Sequence, residues 1–100
     1  MQIPETLRIQ GVDYQILASP QGLLVEEFVF GLVEFEKARI RITTEGVDEQ
    51  IQKITLLHEV FHIILDNFGI DTGESEEFVV DSLARGMYQI LEDNPELFEN

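Results

Sequence analysis

The chain has 100 residues, enough for one domain with a hydrophobic core of its own. It contains no cysteine, which excludes disulfide frameworks, thiolate metal sites and cysteine nucleophiles together. Twenty acidic against six basic residues give a formal net charge of −14, a surface that repels phosphate backbones and argues against direct binding of DNA or RNA.

Met1 to Gln10 lack the basic segment and apolar run of a secretory leader, and the apolar stretches are too short and too punctuated by charge to span a bilayer. A cytoplasmic protein without a membrane partner is expected. Residues 6–10 and 13–18 alternate in polarity on either side of Gly11 and predict a β-hairpin. Ser19, Pro20, Gln21 and Gly22 predict a loop, and residues 23–28 suit a helical turn or irregular segment. Val29, Gly31, Val33 and Phe35 then share one face of an extended segment. Ala38, Ile40 and Ile42 share one face of the next, opposed by Arg39, Arg41 and Thr43. With Glu36 and Lys37 at the turn, the pattern predicts a second antiparallel hairpin.

Asp48 is the expected N-cap of a long central helix that runs to about Asn67 or Phe68 and ends at Gly69. Apolar residues surround most of this helix from Leu56 onward, so it is expected between two other layers. After a connector over residues 70–74, a last helix is predicted from about Ser75 to Glu92, with Phe78, Val79, Leu83, Met87, Ile90 and Leu91 as its apolar set. Asp93-Asn94-Pro95 stops it, and residues 96–99 fit one further short turn. The expected fold is one α+β domain over residues 1–100, with a small antiparallel-rich sheet of three or four strands packed on the two helices.

Function concentrates in the central helix. His58 and His62, the only histidines in the chain, are four residues apart and therefore lie one above the other on a single helical face. Both imidazoles reach one metal ion from there. Glu59 projects about 100° round the helix, close enough to touch a water on that metal without binding the metal itself. This is the H-E-x-x-H arrangement of zinc hydrolases, two ligands and a general base. The competing reading is a core helix whose histidines are bonded internally. Burying two imidazoles and a carboxylate on one apolar helix costs on the order of several kcal/mol unless something satisfies them, and a metal does so in one step.

A catalytic zinc takes three protein ligands. Without a third histidine or a cysteine, the third must be a carboxylate, and Glu76 and Glu77 open the last helix where it folds back along the first. Glu77 is preferred because Asp81 lies four residues on, on the same face. There it can accept a hydrogen bond from the outer ring nitrogen of His58 or His62 and fix that ring. Glu76 has Val80 at the matching position. The bland alternative for both glutamates is charge complementing a helix N-terminus.

His58-Glu59-Val60-Phe61-His62 followed by Glu77-Phe78-Val79-Val80-Asp81 resembles the gluzincin pattern, H-E-x-x-H completed by E-x-x-x-D on a second helix. With the small size and the run EEFVVDSLARGMYQILEDNPELF, the chain looks most like the short phage- and prophage-type members of the ImmA/IrrE-like metallopeptidase family, over residues from about 38 to 98. The resemblance implies a zincin-like fold and a Zn²⁺-dependent peptidase. In such an enzyme Glu59 moves the proton of the attacking water, and a protein or peptide substrate lies antiparallel along an edge strand, here residues 29–35. It also implies a candidate substrate, a transcriptional repressor of a mobile element. Zinc proteases usually carry a donor for the oxyanion. Arg85 and Tyr88 continue the Glu77–Asp81 face but lie about 12 and 16 Å down the helix at 1.5 Å per residue, and Tyr14 has no assigned place. The lack of such a donor keeps two alternatives open: a zinc-containing, non-catalytic binding or regulatory protein, and a metal-free structural protein. A zinc ribonuclease needs a third histidine and tolerance of polyanions, and the chain has neither.

Overall fold

In the computed structural model, which describes residues 1–19 and 30–98, the chain forms a four-stranded mixed sheet and two helices, an α+β fold. Strands β1 (Thr6–Ile9) and β2 (Val12–Ser19) are joined by Gln10 and Gly11, both with positive φ (49° and 86°). That two-residue turn matches the twist of an antiparallel hairpin, here paired from Thr6 with Gln15 to Ile9 with Val12. Strands β3 (Gly31–Glu34) and β4 (Arg39–Thr43) form the second antiparallel hairpin. Its connection is a 3₁₀ turn over Phe35–Lys37 closed by Ala38 in the left-handed region, longer than the two-residue turn expected at Glu36 and Lys37. The expected extended segment over residues 29–35 shortens accordingly to Gly31–Glu34; Val29, the loop over residues 20–22 and the segment 23–28 lie outside the described residues.

The sheet order is β1-β2-β4-β3, and β2 pairs with β4 in parallel. Two of the three pairings are antiparallel, in line with an antiparallel-rich sheet, and only the central pairing is not. Residues 20–29 separate the two hairpins, and only a tight turn would have imposed antiparallel pairing. The more apolar strand of the second hairpin, with Ile40 and Ile42 fully buried, takes the interior position, and β3 is left at the edge.

Helix α1 (Glu49–Asn67) starts where the Asp48 side chain accepts a 2.8 Å hydrogen bond from the Gln50 amide. It ends where Gly69, at φ 63°, lets the Ile70 amide reach back to the Leu65 carbonyl. One side of α1 packs Leu56 and Ile63 onto Ile9, Tyr14, Ile40 and Ile42 of the sheet. Its other side takes helix α2 (Glu76–Asp93), so α1 lies between sheet and helix. Among the described residues no helix is long and apolar enough to cross a membrane.

Of the expected apolar set on α2, Val79, Met87 and Leu91 are half-buried and the other three are not. Val80 and Ala84 are the helix's buried residues, whereas Phe78, Leu83 and Ile90 are exposed. The small pair Val80/Ala84 lets the helix backbones approach. Because Glu77 and Asp81 flank this pair on the same turns, the approach brings both carboxylates to the histidines of α1. Tyr14 is a core residue, 5% exposed, packed with Ile9, Ile40 and Ile42.

Candidate metal centre

The i, i+4 spacing on α1 places the two imidazoles edge to face, ring centroids 4.9 Å apart, with their Nε2 atoms at 3.2 Å. Glu77 reaches both from α2: its Oε2 is 3.1 Å from His58 Nε2 and its Oε1 is 2.8 Å from His62 Nε2. Metal-binding atoms of His58, His62 and Glu77 lie within 4.8 Å of one another. Tetrahedral zinc with bonds near 2.0–2.1 Å separates its ligand atoms by about 3.3–3.4 Å, so these donors fit one small cation with shifts of a few tenths of an ångström.

The outer ring nitrogens strengthen that fit. His62 Nδ1 lies 2.8 Å from Glu76 Oε2, a position in which a proton on Nδ1 would be donated to Glu76. In the neutral ring Nε2 would then carry a bare lone pair, 2.8 Å from another carboxylate oxygen. Two electron-rich atoms at that distance repel unless a proton or a metal cation stands between them. The same polarity holds at His58, whose Nε2 faces Glu77 while its Nδ1 faces Asp81 Oδ1 at 3.7 Å. Asp81 thus stands beside His58 but beyond hydrogen-bonding distance, and its other oxygen accepts from Arg85 Nε at 3.0 Å.

Glu76 therefore lies on the outer side of His62, in the orienting role that sequence reasoning gave only to Asp81. Spacing could not show this. Glu76 projects about 100° from Glu77 round α2, and only the docking angle of the two helices turns it toward His62 Nδ1.

Glu59 is 8% exposed, and its carboxylate has no hydrogen-bond partner among the described residues. It sits against the edge strand. A Cβ on Gly31 would come within 2.6 Å of Thr55 Cγ2 and 3.1 Å of Glu59 Oε1, so the absence of a side chain at position 31 is what lets β3 close over this carboxylate. The sequence signal was a glycine inside a strand pattern, which marks close backbone approach. Two clefts meet at Glu59 and His62. One lies between the start of β3, α1 and Arg85 of α2; the other lies at the far end of β3, by Phe35, Asp66 and Asp71.

Burial pushes the Glu59 carboxyl above the ordinary carboxylate range; His58 and His62 pull it partly back, and Glu77 adds to the rise. A carboxyl whose pKa rises on folding weakens the fold once ionised. The penalty is absent below the unfolded value near 4.5 and grows as pH rises through the folded value. In the presence of a chelator, Glu59→Gln is therefore expected to melt with wild type at about pH 4 and above it at about pH 7.5, by on the order of 1 kcal/mol. Paired thermal melts across that range check this, and a variant that loses ground as pH rises contradicts it.

Of the other candidate donors among the described residues, Arg85 alone lines the cleft shared with His58, Glu59 and His62. Arg85 is tied to Asp81, and the Tyr88 hydroxyl donates to Glu92 at 3.0 Å. The chain matches no family model, no curated protein and no solved structure.

Proposed function

We propose that the protein is a Zn²⁺-dependent metallopeptidase with a minimal zincin-like domain, in which His58, His62 and Glu77 hold the metal and Glu59 is the catalytic base. The observation that carries this reading is the convergence of three donor groups beside a buried carboxylate that has no hydrogen-bond partner among the described residues, at the edge strand of the sheet. A zinc ion in that position supplies the charge that polarises a scissile carbonyl and acidifies water. Glu59 takes a proton from the attacking water and passes it to the leaving amine, a role suited to a carboxylate whose burial favours holding a proton. Glu76 holds the His62 ring with its Nε2 turned inward. β3, paired on one side only among the described residues, offers its other edge to a peptide running antiparallel to it, so backbone hydrogen bonds bind the substrate. The resemblance to ImmA/IrrE-like peptidases of phages and prophages makes a repressor of a mobile element the first substrate to try. Release of peptides from an unfolded generic substrate, with zinc and with chelator, tests the reading.

A second reading has an observation of its own. Among the described residues the candidate oxyanion donors are already engaged or buried: Arg85 lines the cleft but is bonded through Nε to Asp81, Tyr88 donates to Glu92, and Tyr14 lies in the core. That favours a zinc-containing regulatory protein that binds its partner along β3 without cleaving it. Zinc binding with no peptide release decides for it.

A further inference from the structure

The two clefts that meet at Glu59 differ in charge. The one at the Phe35 end of β3 has apolar walls from Val33, Phe35, Leu65 and Ile70, and its rim carries the carboxylates of Asp66 and Asp71. No lysine or arginine lines it, and among the described residues neither aspartate has an ion-pair partner. Asp71 uses one oxygen to accept from the Gly73 amide at 2.8 Å. The cleft's lining includes Glu59, more than nine-tenths buried, whose carboxylate has no hydrogen-bond partner among the described residues. An apolar slot with a negative rim and no internal cation suits a long side chain with an aliphatic stem and a cationic head. The cleft at the start of β3 differs in holding a cation, Arg85, which is paired with Asp81 in the same wall beside Glu77.

We propose that the Asp66/Asp71 cleft is a specificity pocket for an arginine or lysine side chain placed N-terminal to the bond that lies over Glu59. The direction follows from the strand: β3 runs from Gly31 beside the Arg85 cleft toward Val33 and Phe35 beside the acidic one. A peptide antiparallel to β3 enters with its N-terminal half at the acidic cleft. The inference rests on the peptidase reading for the position of the peptide, and its charge preference follows from the cleft alone. The chain's net charge of −14 adds a long-range attraction for basic peptides.

The test uses two blocked hexapeptides that differ only in arginine or norleucine at one position, titrated by NMR into the metal-free protein, where nothing is cut. The arginine peptide is expected to bind about tenfold more tightly, and Asp66→Asn with Asp71→Asn is expected to remove most of that ratio. Asparagine keeps the acceptor that the Gly73 amide uses, so the connector is preserved. Equal affinities for the two peptides, or a ratio unchanged in the double variant, overturn the pocket. A parallel digestion of the same peptides by the zinc-loaded protein separates the two ideas. Cleavage without regard to arginine refutes the pocket and leaves the peptidase reading standing. An arginine preference in binding with no cleavage of either peptide keeps the pocket and refutes the peptidase reading.

Discussion

Glu59→Gln is expected to lower peptide hydrolysis at least about 100-fold while zinc remains bound, because a positioned general base contributes roughly 10²- to 10⁴-fold and glutamine cannot accept the proton. The structure makes this substitution a clean probe. Glu59 is not one of the three clustered donors and its Oε1 lies beside Gly31, so the amide replaces the carboxylate without displacing a ligand, and the two side chains have nearly the same volume. Steady-state rates on an unfolded substrate, with zinc content measured on the same samples, check the expectation. Wild type and variant that hydrolyse equally remove Glu59 from the chemistry and favour the regulatory reading. A variant that also loses zinc places Glu59 among the ligands instead.

His62→Ala is expected to abolish the stabilisation that zinc confers. At free zinc a hundred times the dissociation constant, binding to the folded state alone adds about 2.7 kcal/mol, which raises the melting temperature of a domain this size by roughly 10 °C or more. His62 carries this effect more than its neighbours. It meets Glu77 through Nε2 and Glu76 through Nδ1, so its removal deletes a ligand and leaves Glu76 without its partner. The half-buried ring also packs between the helices, and the metal-free variant has its own melting temperature. The informative quantity is therefore the zinc-dependent difference within each protein, read by thermal melts with zinc and with chelator. An equal zinc-induced shift in wild type and His62→Ala contradicts the assignment.

The parts of the molecule legible in the sequence were those set by local spacing. Asp48 and Gly69 bracket α1 because capping and left-handed geometry are properties of a few adjacent residues. The inward pairing of His58 with His62 follows from the helical repeat, and Glu77 could be singled out because Asp81 recurs one turn later. What stayed hidden depends on how elements dock. The parallel pairing of β2 with β4 involves two strands joined through residues 20–29, for which spacing gives no rule. On α2 the large apolar residues Phe78, Leu83 and Ile90 suggested the packing face, yet the helix turns Val80 and Ala84 inward. Small residues carry a weak hydrophobic signal and win here because they allow the close approach that brings Glu76 and Glu77 to the histidines. Gly31 was legible only as a member of a strand face; its consequence for Glu59 requires knowing that β3 passes over α1 at that turn.

The two imidazoles and the carboxylate of Glu77 converge on one point, as a group that could hold a metal ion. A crystal grown with zinc and measured on either side of the zinc absorption edge locates that point directly. One anomalous peak per chain is expected, about 2.0–2.2 Å from His58 Nε2, His62 Nε2 and an oxygen of Glu77. A map with no peak there, or with zinc held by other residues, contradicts the account.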